Sequence, residues 1–452
     1  MLTELSLENF KSWARVSKMR LAPLTGLFGA NSSGKTSLLQ FLLMQKQTVM
    51  SPDRNQVLNF GDETSLVSLG TFKEVIHGHV SARLTYSLAW DLTDKMAVVN
   101  PEKKGEVLFS GDKMAFEAAL VENGSGRLAV AEMRYSFSGH DFIMKKKRDV
   151  PEYFLSITPD REFRVKRTLG RKWALPAPVK GYGFPDQAKA YYQNTGFLSD
   201  FQLEFESLFN RIYYLGPLRD YPRRQYTWAG AQPADMGRRG EHVVDALLAS
   251  SQSGERISRG KGKKKLSLGE YVAYWLKELG LIDSFRVKKV AEHSNIYQVW
   301  VKKDPMASEV LITDVGFGVS QILPVLTLCY YVPEGSVVIL EQPEIHLHPS
   351  VQAGLADVFV DAITQRHIQI IVESHSEHLL QRLQRRIAEG SLNVKDAALY
   401  FCAAHDGASL LTQLDVDLYG NILNWPTSFF GDQFGEIAAM QKAAIARKKK
   451  AT

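Results

Sequence analysis

Cysteine is scarce, two in 452 residues. Both Cys329 and Cys402 lie inside apolar runs, which excludes a disulfide scaffold and a cysteine metal site. Long apolar stretches are missing too: the run at 322–332 is too short to span a bilayer. The first eleven residues read as a strand, without the basic-then-apolar layout of a leader. The expectation is a cytoplasmic protein with no membrane segment. No internal repeat and no long heptad array occur, which argues against a coiled-coil arm. What is present is ordinary for a globular chain, 45% hydrophobic and 23% charged. The length fits roughly two to four domains. Net charge is +6, with basic clusters at 145–148, 256–265 and 447–450. Such runs are usually solvated loops and tails, and otherwise nucleic-acid contacts.

Periodicity places strands at 1–10 and 24–28, followed by a Gly-rich turn and an apolar helix from Thr36 to Met44. Short alternating runs at 82–90, 127–138 and 162–165 predict an antiparallel sheet. Helical spacing returns at 200–209 and 268–279, and the Ser, Gly and Lys rich stretch 250–265 reads as a mobile loop. Helices at 322–331 and 351–363 alternate with apolar strands at 336–340 and 368–372, the pattern of a parallel sheet covered on both faces. The expected fold is α/β, a mixed sheet flanked by helices built from residues 1–65 and 301–452. An antiparallel β-rich subdomain is expected at 66–195 and a mainly helical insertion at 196–300.

Gly29-Ala30-Asn31-Ser32-Ser33-Gly34-Lys35-Thr36 matches G-x-x-x-x-G-K-[ST] in full, between a strand and a helix. Such a loop winds so that the backbone N–H groups of Asn31, Ser32, Ser33, Gly34 and the helix start through Ser37 face a phosphate. Lys35 would reach the β and γ oxygens and the Thr36 hydroxyl would ligate Mg²⁺, which points to ATP as the ligand.

Val337-Val338-Ile339-Leu340 runs into Glu341-Gln342-Pro343-Glu344, an apolar strand ending in carboxylates. The expectation is that it lies beside the P-loop strand, with Glu341 reaching the metal. Asp314-Val315-Gly316-Phe317-Gly318-Val319-Ser320-Gln321 opens a second Gly-rich helix start suited to an anion. It cannot hold the same phosphates from the same side as the P-loop. Either a second protomer presents it across a two-fold interface, or it is a plain capped turn. Ile370-Ile371-Val372-Glu373-Ser374-His375 is another strand ending in polar groups, where His375 either senses a γ-phosphate or is structural. His346 and His348 do not complete a zinc set.

In this order the elements resemble ABC-type ATPases of the RecF, SMC and OLD branch. Leu7-Glu8-Asn9-Phe10-Lys11-Ser12 looks like the branch's first strand, and Glu341 to Pro349 looks like its acidic strand and D-loop. Tyr214-Leu215-Gly216-Pro217-Leu218-Arg219, Asn424-Trp425-Pro426 and Phe429-Phe430-Gly431-Asp432-Gln433 resemble a short bacterial subgroup, similar in kind to the ATPase subunits of the Septu and PARIS phage-defence systems. The resemblance implies a head-to-tail dimer with two ATPs sandwiched between P-loop and signature motif. Carried over, Lys11 and Ser12 join the nucleotide site, Gly316, Gly318 and Ser320 are signature residues acting in trans, and His375 is the switch histidine. Glu341 takes the metal-linked place and Gln342 the place of the usual water-polarising Glu. An amide cannot accept a proton from water as a carboxylate can. Slow hydrolysis is the expectation, unless Glu344 or Glu373 takes over.

Asp415 and Asp417 are too few for a paired-metal nuclease site and fit the end of a surface strand before a turn. The leading expectation is an ATP-driven switch in bacterial phage defence, acting with itself as a homo-oligomer and on a separate effector such as an HNH or Toprim nuclease. The alternative is a DNA-end-binding or repair ATPase, with 145–148 and 256–265 on the duplex. A transporter-associated ATPase lacks any coupling feature here. Arg219, Arg223 and Arg224 are phosphate sensors or internal salt-bridge partners.

Overall fold

A computed structural model describes the chain apart from residues 81–82, 101–104, 124–125, 149, 160–162, 164, 171–173, 427–439 and 444–452. The motif at Phe429–Gln433, the tail at 447–450 and part of the run at 162–165 lie outside the described residues.

The chain opens with β1 (Leu2–Phe10), β2 (Trp13–Arg20), β3 (Leu24–Gly29) and α1 (Lys35–Met50). A short α2 (Phe72–Val75) precedes β4 (Arg83–Val99), β5 (Val107–Glu122), β6 (Leu128–Phe137), β7 (His140–Lys146) and β8 (Tyr153–Thr158). These strands, with β1 and β2, form an antiparallel sheet in the order β2-β1-β4-β5-β6-β7-β8. The period-2 pattern fixes its buried face: Leu84, Tyr86, Leu88 and Trp90 of β4 all point inward. After α3 (Asp186–Tyr191), α4 (Leu198–Asn210) covers that face. Its Phe201, Phe205 and Phe209, spaced by four, form one stripe. Phe205 meets Phe116 at 5.0 Å between ring centroids, and Phe201 meets Phe142 at 4.9 Å.

Next come β9 (Ile212–Leu215), β10 (Tyr226–Thr227), α5 (Val243–Ser253), α6 (Leu268–Glu278), β11 (Ser284–Lys289), β12 (Ile296–Lys302) and β13 (Val310–Leu311). The chain then alternates α7 (Phe317–Tyr331), β14 (Val337–Glu341), α8 (Pro349–Gln365), β15 (Gln369–Glu373), α9 (Glu377–Ala388), β16 (Ala397–His405) and β17 (Ala408–Gln413). A six-stranded sheet runs β17-β16-β3-β15-β14-β9, parallel except for the β16–β17 hairpin. A small antiparallel sheet of β10, β12, β11 and β13 stands apart, and α5 and α6 pack on α7.

The six-stranded sheet separates two cores. Val337, Ile339 and Ile371 enter the one shared with α1, α4 and the antiparallel sheet. Val338, Leu340, Ile370 and Val372 enter the one built with α5 to α9. Burial on both faces is why residues 337–340 and 370–372 are unbroken apolar runs. Each such side chain contributes about 1.5–3 kcal/mol on burial.

Two expectations are corrected. The acidic strand β14 does not lie beside the P-loop strand β3; β15 stands between them. Neighbourhood in a parallel sheet is set by crossovers, which the sequence of one strand does not encode. The stretch 250–265 is also more structured than a mobile loop: α5 runs to Ser253, and Ile257 and Leu266 exchange backbone hydrogen bonds of 2.7 and 3.0 Å. Ile257 is buried and anchors it.

Candidate functional site

Parallel pairing brings the ends of β3, β15 and β14 to one edge, where the register sets Glu341 opposite Glu373 and Glu373 opposite Leu27. Ligands in parallel α/β sheets bind beyond such strand ends. There the chain turns through Gly29–Gly34 into α1. Gly34 has φ +91°, and a Cβ on it would stand 2.3 Å from Ser409 Oγ and 2.7 Å from Ser12 Oγ. Gly29 has φ +138° and a Cβ on it would stand 2.1 Å from the Cys402 carbonyl oxygen. Only glycine fits either place. Gly34 caps α1 with no side-chain acceptor; the Ser37 N–H donates to the Gly34 carbonyl at 3.0 Å, and the N–H groups of Lys35 and Thr36 remain available to an anion.

Lys35 is folded back on the loop: Nζ donates to the carbonyls of Ala30 (2.7 Å) and Gly29 (3.1 Å) and to Ser33 Oγ (3.4 Å). Burial pulls its ammonium below the usual range, and Glu373 opposes that pull. Thr36 Oγ1 donates to Glu373 Oε1 and Oε2 at 3.0 and 2.8 Å. Gln342, at φ +44°, sets its Nε2 3.1 Å from His375 Nε2. Burial, then the nearby Lys35, lowers the His375 imidazole, which favours its neutral form. These groups line a cleft of about 280 Å³ with Ser12, Asn31, Ser32, Gly34 and Ser37.

Glu341 and Glu344 lie behind that lining. Glu341 Oε1 accepts from Tyr214 Oη at 3.1 Å, and burial, reinforced by Glu373, pushes its carboxyl up to about 7. Glu344 Oε1 accepts from the His375 N–H at 2.7 Å, and burial raises that carboxyl too. The carboxylate on Thr36 is therefore Glu373, one strand closer than Glu341. Lys11 stands to the side, its Nζ donating to Gln40 Oε1 at 2.6 Å.

Gly316, Gly318 and Ser320 are not in this cleft. Gly316 caps α7 with no side-chain acceptor and is exposed; Ser320 Oγ donates to the Phe317 carbonyl at 2.7 Å. Gly316 and Gly318 border a separate, mostly apolar cavity of about 520 Å³ with Leu281, Ile282 and Val310. Within one protomer the two Gly-rich helix starts stay apart. Asp417 spends its carboxylate on the N–H groups of Tyr419 and Asn421, each at 2.8 Å, holding a surface turn.

Three contributors escaped the sequence reading. Ser409 donates to Ser12 Oγ at 2.7 Å, and Trp13 Nε1 donates to the Gly34 carbonyl at 2.9 Å. Tyr214 holds Glu341. No local pattern marks Ser409 or Trp13, and the motif at Tyr214–Arg219 carries no sign that Tyr214 reaches Glu341; β17 and β9 bring Ser409 and Tyr214 in from afar.

The P-loop between a central parallel strand and its helix, with carboxylates ending the next two strands, is an arrangement suited to a nucleotide's phosphates and a hard cation. Residues 184–381 match the family described as AAA domain, putative AbiEii toxin, Type IV TA system. Residues 392–440 match one described as Protein of unknown function (DUF3696). Among solved structures the chain is similar to the SMC head domain from Thermotoga maritima, at 12% identity over 92% of this chain and 99% of that one, with a TM-score of 0.42. It is also similar to an Smc head domain from Pyrococcus furiosus with an extended coiled coil, bound to the C-terminal domain of ScpA, at 10% identity over 91% and 96%, TM-score 0.42. No curated protein matches.

Proposed function

We propose that this chain is an ABC-type ATPase of the RecF and SMC kind acting as a nucleotide-controlled switch: ATP with Mg²⁺ draws two protomers together head to tail, and the closed pair controls a separate effector, a nuclease, in defence against phage. The observation that carries the pairing is the division of the site. One helix start sits in a cleft with hydroxyl, ammonium and carboxylate groups, while the other, equally uncapped, faces outward. Closing one on the other gives the γ-phosphate contacts in the paired state that the open state lacks, which is the differential affinity a switch requires. The family description, with its toxin–antitoxin wording, supports the defence setting.

The residues fit the ligand. The Gly34 cradle admits no side chain, and the Thr36 hydroxyl with the Glu373 carboxylate is a hard-oxygen donor pair suited to Mg²⁺, with Glu341 behind it. Bound there, Mg²⁺ would neutralise phosphate charge. Lys35 would exchange the carbonyls of Gly29 and Ala30 for phosphate oxygens. Gln342 orients a water against His375 without taking its proton, and a missing general base costs roughly 10² to 10⁴ in rate. Turnover should therefore stay below about 10 per second. Sedimentation velocity with and without Mg²⁺·ATP tests the switch: a monomer unchanged by nucleotide sinks it.

One observation favours a second reading, DNA binding. The basic loop at 256–265 is pinned by the Ile257–Leu266 pairing and by the Arg259 guanidinium 3.8 Å from the Tyr274 ring centroid. A duplex clamp predicts DNA affinity that falls steeply with salt.

A further inference from the structure

The loop after β9, residues 216–225, passes beneath the end of β14, where Arg219 meets the carbonyls of Glu341 and Gln342. Its path is fixed by N–H groups of Gly216 and Asp220 donating to the carbonyls of Arg238 (2.7 Å) and Arg239 (3.0 Å). At its far end Arg224 Nη2 meets Asp314 Oδ1 at 2.9 Å, and the Tyr221 ring lies 5.5 Å from that of Phe317. Between these anchors Arg219 is driven inward until it is 4% exposed.

A guanidinium is costly to bury and normally satisfies all its donors there. Arg219 does not. Nη2 donates to the carbonyls of Glu341 (3.3 Å) and Gln342 (3.5 Å), while Nε and Nη1 have no hydrogen-bond partner among the described residues. Glu344, whose charge acts on Arg219, leaves Oε2 without a hydrogen bond among the described residues as well. A purely structural arginine this poorly satisfied would be better replaced by an apolar side chain. What it does achieve is to hold the two carbonyls at the point where the chain leaves β14 and turns through the left-handed Gln342. Those two residues present the carboxylate behind Thr36 and the amide on His375.

We infer that Arg219 is a positioning residue for the metal-dependent half of the nucleotide site, acting through the backbone of Glu341 and Gln342. The inference rests on the ATPase reading above and goes beyond it in assigning the loop after β9 to the site.

Calorimetric titration of the full chain with ATP, once with Mg²⁺ and once in EDTA, tests it. Loss of an outer-shell partner typically lowers metal affinity 10- to 100-fold. Arg219→Ala should therefore weaken Mg²⁺·ATP binding about tenfold or more and leave ATP binding in EDTA unchanged. Arg219→Lys, which keeps the charge but not the planar fork, should fall between. Because Arg219→Ala strands the Glu344 carboxylate in the interior, the double variant Arg219→Met with Glu344→Gln guards against simple unfolding, and should show the same Mg²⁺-dependent loss. Equal losses with and without Mg²⁺, or none, in a folded variant overturn the inference. A wild-type chain that binds ATP under neither condition overturns the ATPase reading itself, a different result.

Discussion

The starts of α1 and α7 are the same local device in different surroundings. Both follow glycine-rich turns and both lack a side-chain cap. At α1 the glycines are imposed by geometry: Gly34 is left-handed and wedged between Ser12 and Ser409. At α7, Gly316 has an ordinary φ of −57° and open space where a Cβ would go. The α1 start needs glycine to fold its own loop. The α7 start has no such need within its protomer, so its glycines point to something that approaches from outside.

The comparison can be broken in several ways, beginning with the largest effect. Gln342→Glu should supply the missing general base on the α1 side and raise ATP turnover by up to about 10²-fold or more; unchanged turnover in a steady-state assay contradicts the role given to Gln342. Lys35→Ala removes a charged phosphate contact worth about 1.5–3 kcal/mol, lowering ATP affinity about 10- to 100-fold by calorimetry. Gly34→Ala should cost about 1–3 kcal/mol of strain and abolish nucleotide binding, whereas Gly316→Ala should leave both stability and ATP binding by the protomer unchanged. Equal behaviour of the two glycine variants in thermal melts would erase the contrast.

The smallest expected effect is on pH. The Glu341 carboxyl is held at about 7, above its ordinary value, so the folded state binds that proton more tightly than the unfolded chain. Its stabilisation is complete below the ordinary carboxylate range and is lost as pH rises through about 7. Metal-free protein should lose about 1.5 kcal/mol between about pH 5.5 and about pH 7 in denaturant titrations, and Glu341→Gln should flatten that slope.

How much of this was legible beforehand follows from what is local. The P-loop is a contiguous motif, and Gly29 to Thr36 could be read to the residue. The buried strands β14 and β15 announced themselves by unbroken apolar runs. Their order did not: nothing in Val337–Glu341 says that β15 intervenes, and so Glu341 was expected where Glu373 stands. Ser409 and Tyr214 reach the site only through strand pairing across hundreds of residues. Arg219 looked like one of three loop arginines until its burial beneath Glu341 was visible. Gly316, Gly318 and Ser320 were readable as a helix start, but their distance from the P-loop cleft within one protomer is a property of the whole fold.

The central claim is that the two helix starts complete each other between protomers. Sedimentation velocity on an equimolar mixture of Lys35→Ala and Gly318→Asp chains with Mg²⁺·ATP tests it most directly. At ATP concentrations that fill the wild-type cleft but not the weakened one, each variant alone should remain monomeric, one leaving its cleft empty and the other presenting a carboxylate to the phosphate. Mixed, an intact P-loop can face an intact α7 start once per pair. The account predicts that an ATP-dependent dimer reappears in the mixture. A mixture that stays monomeric, or a Gly318→Asp chain that dimerises alone as well as wild type, would contradict it.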